Sequence, residues 1–109
     1  MYASNKLARE WMLNNGYNHI WFKAHLKRKD KIYTTAGTYQ ATDLWNLFDG
    51  IAISEQFGQV TFFQVKTNAW PSEDPYLNFY SIKNSEGTAI LFINVKKEKN
   101  HWVVKTRLL

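Results

Sequence analysis

Two strand-like segments, residues 48–53 and 60–66, constrain the fold of this chain more than any other feature. The first ends in alternating apolar residues, the second is mostly apolar, and the polar connection between them (residues 54–59) has a glycine near its end. Short polar loops with glycine are typical of β-hairpins. If the loop is symmetric, Ile53 faces Val60, and the two segments pair as antiparallel strands.

Polar side chains interrupt this hairpin near one end. The same register places Asp49 opposite Gln64, and the alternation of side chains along a strand puts Gln64 and Lys66 on one face. A carboxylate, an amide oxygen and an ammonium therefore converge. Buried polar groups need partners, so this arrangement is costly for stability alone and indicates a catalytic site. Two simpler interpretations stay open: Asp49-Gly50 is a frequent turn former, and Lys66 is the exposed end of a strand.

An Asp at the end of one strand, followed in the next strand by Asp, Glu or Gln, any residue and Lys, is the signature of the PD-(D/E)XK nuclease superfamily. The chain resembles this superfamily through Asp49 and Gln64-Val65-Lys66. It is most similar to small stand-alone members, the archaeal-type Holliday junction resolvases and the minimal virus-type replication-repair nucleases. The order of elements matches over nearly the whole length. The chain departs from the motif in one place, since Gln64 stands where Glu is usual.

The resemblance implies a Mg²⁺- or Mn²⁺-dependent endodeoxyribonuclease that hydrolyses phosphodiester bonds during DNA recombination or repair. The metal ligands that it implies are Asp49, the side-chain oxygen of Gln64, the backbone carbonyl of Val65 and Glu10. The implied catalytic residues are Asp49, Gln64, Lys66 and Glu10, with Lys66 orienting the attacking water or stabilising charge on the phosphate. Oxygen ligands of this kind suit Mg²⁺. Glu10 lies at the edge of the apolar stripe of the first helix, and an ordinary surface Glu is the alternative.

The net charge of +5 favours an anionic partner. The candidate DNA contacts are Lys27, Arg28, Lys29 and Lys31, at a hairpin tip, and Thr38, in a polar run (residues 34–42) that reads as a long loop. A solvated turn is the simpler interpretation of such a charge run. The resemblance to junction resolvases further implies a homodimer on branched DNA, with Trp45 and Trp102 offering apolar area. A catalytically inactive nucleic-acid-binding module and a structural subunit are the alternatives.

The length of the chain predicts one domain, residues 1–109, and the remaining periodicity predicts the element order α-β-β-β-α-β-β. The expected fold is α/β (α+β), a mixed sheet flanked by helices, and the resemblance implies a restriction-endonuclease-like αβββαβ core. The predicted elements are a helix from Ser4 to about Asn15, a strand at 17–26, the hairpin, a short helix at 74–83, and strands at 88–95 and 101–108. The absence of cysteine excludes disulfides and thiolate zinc sites. No apolar run approaches the roughly 20 residues that span a membrane, so we expect a soluble, intracellular, cytoplasmic protein, in the host cytoplasm if the chain is viral.

Overall fold

The computed structural model describes residues 3–23, 32–34, 37–39, 47–56, 58–79 and 86–109. It confirms the predicted α+β class, with one helix packed on a five-stranded mixed sheet. In chain order the elements are α1 (Ala3–Asn14), β1 (His19–Phe22), β2 (Ile32–Thr34), β3 (Gly37–Tyr39), β4 (Gly50–Ser54), β5 (Gln59–Thr67), a 3-10 helix (Asp74–Phe79), β6 (Thr88–Glu98) and β7 (His101–Leu108).

The main sheet has the strand order β1-β4-β5-β6-β7. Strand β4 pairs antiparallel with β1 and with β5, and β6 pairs antiparallel with β7, whereas β5 and β6 are parallel. Parallel neighbours need a crossover connection, which runs here between residues 67 and 88 and includes the 3-10 helix. Strands β2 and β3 form a separate two-stranded antiparallel sheet.

The register predicted for the central hairpin is confirmed. Ile53 is the partner of Val60, and the pairing continues without interruption to Gly50 and Phe63. The apolar pattern fixes this register, because a shift by one residue would move every buried side chain to the opposite face of the sheet.

Two apolar clusters cover the two faces of the sheet. The first comprises buried residues of α1 together with Ala52, Phe63, Val65, Leu91, Ile93 and Val95, and the second comprises Phe48, Tyr76, Ile90 and Phe92, with Phe62 packed against it. Neighbouring residues of β5 and β6 alternate between the clusters, so the clusters lie on opposite faces. We call them the helix face and the aromatic face. The candidate residues Gln64 and Lys66 share the parity of Phe62 and therefore belong to the aromatic face.

Helix α1 covers the first of these faces through Ala8 and Met12, which are both fully buried, while Leu7 and Trp11 pack at the margin of the cluster. The spacing of these four residues is that of a helix with one apolar stripe, which explains why the segment forms an amphipathic helix against the sheet.

Several predicted boundaries differ from those of the structure. Strand β1 is described only over His19–Phe22, and the predicted loop at 34–42 begins within β2 and includes β3. The segment after Asp74 begins as a 3-10 helix rather than an α-helix, and β6 extends to Glu98. No helix in the described part of the chain has the length and apolar character needed to cross a lipid bilayer.

Candidate active site

Asp49 is the most deeply buried charged residue of the hairpin, with 6% of its surface exposed. Its Oδ2 accepts a hydrogen bond from the backbone N–H of Val65 at 2.7 Å. Its Oδ1 lies 3.2 Å from the Nζ of Lys23. Both carboxylate oxygens therefore have a fixed neighbour, and the side chain is held in one orientation where β4 begins.

A β-bulge produces this orientation. Phe48 packs into the aromatic face, whereas a methyl group on Gly50 would lie 2.6 Å from the ring of Phe63, on the helix face. In a regular strand, the side chains of residues i and i+2 lie on the same face. Phe48 and Gly50 lie on opposite faces, so Asp49 is an extra residue between them. The backbone agrees: Gly50 is the register partner of Phe63, and the N–H of Asp49 also bonds to the Phe63 carbonyl at 2.8 Å. Bulges of this kind redirect a side chain.

The predicted opposition of Asp49 and Gln64 is therefore corrected. The register holds as far as Gly50, but the bulge then places Asp49 beside Phe63 in the ladder, and its carboxylate reaches along β5 to the N–H of Val65. The Asp49-Gly50 dipeptide is also not a turn, since Gly50 is the first residue of β4. The glycine is required because the backbone of Trp21 and the ring of Phe63 leave no room for a Cβ.

Aromatic packing anchors the residue that precedes the bulge. The ring of Phe48 lies 5.4 Å from the ring centres of both Phe62 and Tyr76, and Tyr76 stacks edge-on against Phe92. The hydroxyl of Tyr76 donates to the carbonyl of Leu47 at 2.7 Å. The 3-10 helix thus holds the chain on the approach to Asp49, which limits the movement of the carboxylate.

Gln64 and Lys66 lie on the same face of β5, as predicted, and this is the aromatic face. The Oε1 of Gln64 is buried and accepts no hydrogen bond from any residue in the described ranges. Lys66 is exposed, and its register partner on β6 is Asn94, which is 4% exposed. The Oδ1 of Asn94 is likewise buried without a partner among the described residues. Two orphaned acceptors on one face are unusual, because each costs free energy unless a ligand satisfies it.

The structure does not bring Glu10 to this group. Glu10 is exposed on α1, which packs on the helix face, and no hydrogen bond or ion pair joins it to another described residue. Val65 contributes its N–H to Asp49, which is a different contact from the carbonyl ligand that the resemblance implies. Lys27, Arg28, Lys29 and Lys31 lie outside the described residues, and Thr38 is described only as the backbone partner of Tyr33.

Lys23 and Asn94 are the site residues that sequence reasoning missed. Lys23 lies within the strand predicted at residues 17–26, and its N–H bonds to the carbonyl of Asp49 at 2.8 Å, which aligns the two residues across the sheet. Its side chain is only 27% exposed. The signal for Asn94 was available, since it is the one polar residue within the apolar run from Ala89 to Val95.

Cations continue along the aromatic face onto β6 and β7. The guanidinium of Arg107 lies 3.2 Å from Glu73 and stacks 4.7 Å from the ring centre of Trp70. Lys105 lies 3.1 Å from Glu98. A hydrogen bond from Lys105, together with its charge, lowers the pKa of Glu98 below the ordinary value of 4.5. Lys66 and Lys105 are the register partners of Asn94 on its two neighbouring strands, and of these two lysines Lys105 pairs with Glu98.

The donor set can be compared with what a hard divalent cation requires. Among the described residues, no three His, Cys, Asp or Glu side chains lie close enough together to hold a metal. The site instead offers the Asp49 carboxylate and the orphaned oxygen of Gln64. A carboxylate can accept about four hydrogen bonds or ligand contacts, of which the bond from Val65 and the ion pair with Lys23 are two. Oxygen donors of this kind fit Mg²⁺ or Mn²⁺ held largely by water and substrate.

Comparison of the chain with protein-family models, with curated proteins and with solved structures returned no match.

Proposed function

We propose that this chain is a divalent-metal-dependent endodeoxyribonuclease that hydrolyses DNA phosphodiester bonds, with Asp49, Gln64 and Lys66 at its centre. One observation carries the proposal: strand β5 bonds to a buried, oriented carboxylate through the N–H of Val65, and the residues on either side of Val65 are Gln64, whose buried amide oxygen has no partner among the described residues, and the exposed Lys66. The main sheet also supports it. Helix α1 is followed there by the antiparallel strands β1, β4 and β5, by a crossover and by the parallel strand β6, which is the order that the motif resemblance implies for the core.

Each residue has a defined task in this proposal. Asp49, fixed by the N–H of Val65, and Gln64 would hold the cation. A bound divalent cation supplies charge neutralisation at the phosphate and a more acidic water. The ammonium of Lys66 would bind a phosphate oxygen or orient the attacking water. Glu10 has no part in this arrangement because it lies on the other side of the sheet.

We propose a homodimer on branched DNA as the finer form of this function. Trp102 is 44% exposed on the final strand and offers apolar area for an interface, while Trp45 lies outside the described residues. One small domain carries one site, and symmetric cleavage of two strands needs two, for which a twofold dimer is the commonest solution. Light scattering at micromolar concentration tests the dimer. A monomer without preference for four-way DNA would leave a nicking or end-processing nuclease.

The decisive experiment is cleavage of labelled linear, nicked and four-way DNA with Mg²⁺ or Mn²⁺ by the wild type, Asp49→Asn and Lys66→Ala. Loss of a positioned catalytic group should slow cleavage by about 10²–10⁴-fold. Lys97→Ala is the matched control, because Lys97 is an exposed lysine on the opposite face of the sheet. If both site variants cut as fast as the wild type, the site is wrongly assigned.

A nucleic-acid-binding module without catalysis is the second candidate function, and Lys23 favours it. A carboxylate that is already neutralised by a lysine at 3.2 Å attracts a metal less strongly. In that case the wild type should retard DNA in a gel shift that weakens steeply with salt, as phosphate contacts do, and should cut none of the substrates with either metal.

A further inference from the structure

Lys23 forms an ion pair that the proposed chemistry leaves unused. Its Nζ lies 3.2 Å from Oδ1 of Asp49, and Asp49 is the one buried carboxylate among the described residues. The backbone N–H of Lys23 bonds to the carbonyl of Asp49, so the two residues lie side by side and the ammonium can reach the carboxylate. The protein therefore carries its own cation at the oxygen that a divalent ion would bind.

The position of Lys23 allows this cation to leave. Strand β1 ends at Phe22, so Lys23 is the first residue beyond the strand, and 27% of its side chain reaches solvent. A lysine ammonium sits on a flexible stem with strongly hydrated charge, and it can turn into water without crossing the core. Asp49 has no such freedom, because Val65 and the bulge hold it.

We propose that Lys23 is the exchangeable counter-ion of Asp49. Its ammonium stabilises the buried carboxylate when no divalent ion is present, and it competes with that ion for Oδ1. This inference rests on the proposed function, since it concerns the same carboxylate. Two positive charges near one oxygen in a partly buried site repel each other with little screening. The affinity of the site for a divalent ion is therefore set by Lys23 as well as by the ligands.

Calorimetric titration with Mn²⁺ alone tests the competition. Lys23→Gln keeps a hydrogen-bond donor for Asp49 but removes the charge, and it should bind Mn²⁺ about tenfold more tightly than the wild type, as expected for the loss of one nearby charge. Lys105→Gln is the matched control, because Lys105 also pairs with a carboxylate, at 3.1 Å, but lies on β7, which β5 and β6 separate from β4 and Asp49. Its Mn²⁺ affinity should equal that of the wild type. Asp49→Asn should lose the binding.

Thermal denaturation gives a second readout that does not depend on activity. Without metal, Lys23→Gln should melt at a lower temperature than the wild type, because the buried carboxylate loses its charged partner. Saturating Mn²⁺ should narrow this gap, since the tighter binding stabilises the variant more than the wild type. A destabilisation that Mn²⁺ leaves unchanged would mean that Lys23 is only structural.

The outcomes separate this inference from the proposed function. If Lys23→Gln binds Mn²⁺ no more tightly than the wild type, while Asp49→Asn abolishes binding, the competition is overturned and the metal site stands. If none of the chains binds Mn²⁺, both ideas fail. Should Lys23→Gln not fold, Lys23→Arg replaces it. A guanidinium pairs with carboxylate through two parallel bonds, so this variant should bind Mn²⁺ more weakly, and unchanged affinity would overturn the proposal.

Discussion

Substitution of Asp49 by alanine tests how strongly the bulged carboxylate stabilises the fold. The change removes the acceptor for the N–H of Val65, a buried residue, and the partner of the Lys23 ammonium. An unsatisfied buried donor costs about 1–3 kcal/mol. Breaking a buried ion pair costs about 3–5 kcal/mol. Lys23 recovers water because it is partly exposed, so the lost ion pair should cost less than this range, and the two effects together should lower the free energy of unfolding by about 3 kcal/mol.

The matching change in melting temperature follows from chain length. With an unfolding entropy of about 2.1 cal/mol/K per residue, a loss of about 3 kcal/mol in 109 residues lowers the melting temperature by about 13 °C. Asp49→Asn keeps an oxygen that can accept from Val65, so it should cost only about 1 kcal/mol, typical of one weakened hydrogen bond. The asparagine variant is therefore the correct one for cleavage assays.

Circular dichroism melts of the wild type, Asp49→Asn and Asp49→Ala, without divalent ions, measure this difference. The order of melting temperatures should be wild type, then asparagine, then alanine. Equal melting of all three proteins would refute the reasoning, because it would show that the bond to Val65 contributes nothing to the fold. An alanine variant as stable as the asparagine variant would assign the whole effect to the ion pair with Lys23.

Three further outcomes follow from the geometry. Gln64→Glu should retain cleavage and bind Mn²⁺ more tightly in a calorimetric titration, because a carboxylate attracts the ion more than an amide does; unchanged affinity would remove Gln64 from the metal site. Gly50→Ala should be insoluble or largely unfolded by circular dichroism, since its Cβ would lie 2.6 Å from the ring of Phe63, and a native melt would contradict the bulge. The pKa of Glu98 is lower in the folded state, so its ion pair contributes stability above the unfolded-state pKa, and this stability is lost as the pH falls through the folded-state pKa. In urea denaturation series at different pH, the free energy of unfolding of Glu98→Gln should therefore fall less steeply with acid than that of the wild type.

The sequence pattern was sufficient where apolar residues follow a simple period. The hairpin register, the boundaries of β7 and the helix α1 to within one residue all follow from alternation or from helical spacing. The hairpin strands and α1 have buried apolar side chains, so a shift of register or boundary there would expose them to water, whereas β7 has no buried residue.

The pattern failed where a single residue departs from that period. A bulge inserts one residue, and a short strand such as β4 offers too few positions to reveal that Asp49 is extra. Lys23 was missed because a charged residue in an alternating strand usually is exposed. Strands β2 and β3 have three residues each and no clear period, so β3 and the last residue of β2 were predicted as loop.

The parallel pairing of β5 with β6 has a consequence for the order of folding. Asp49, Gln64 and Lys66 all lie on one local hairpin, and hairpins form in about 1–10 μs. Strand β6 joins β5 only after the crossover closes, and such non-local pairing is slower. During that interval the chain exposes a bare strand edge, with the apolar run from Val60 to Phe63 beside it. The charge of Lys66, near the end of β5, should then repel a second copy at this edge and limit aggregation before the sheet is complete.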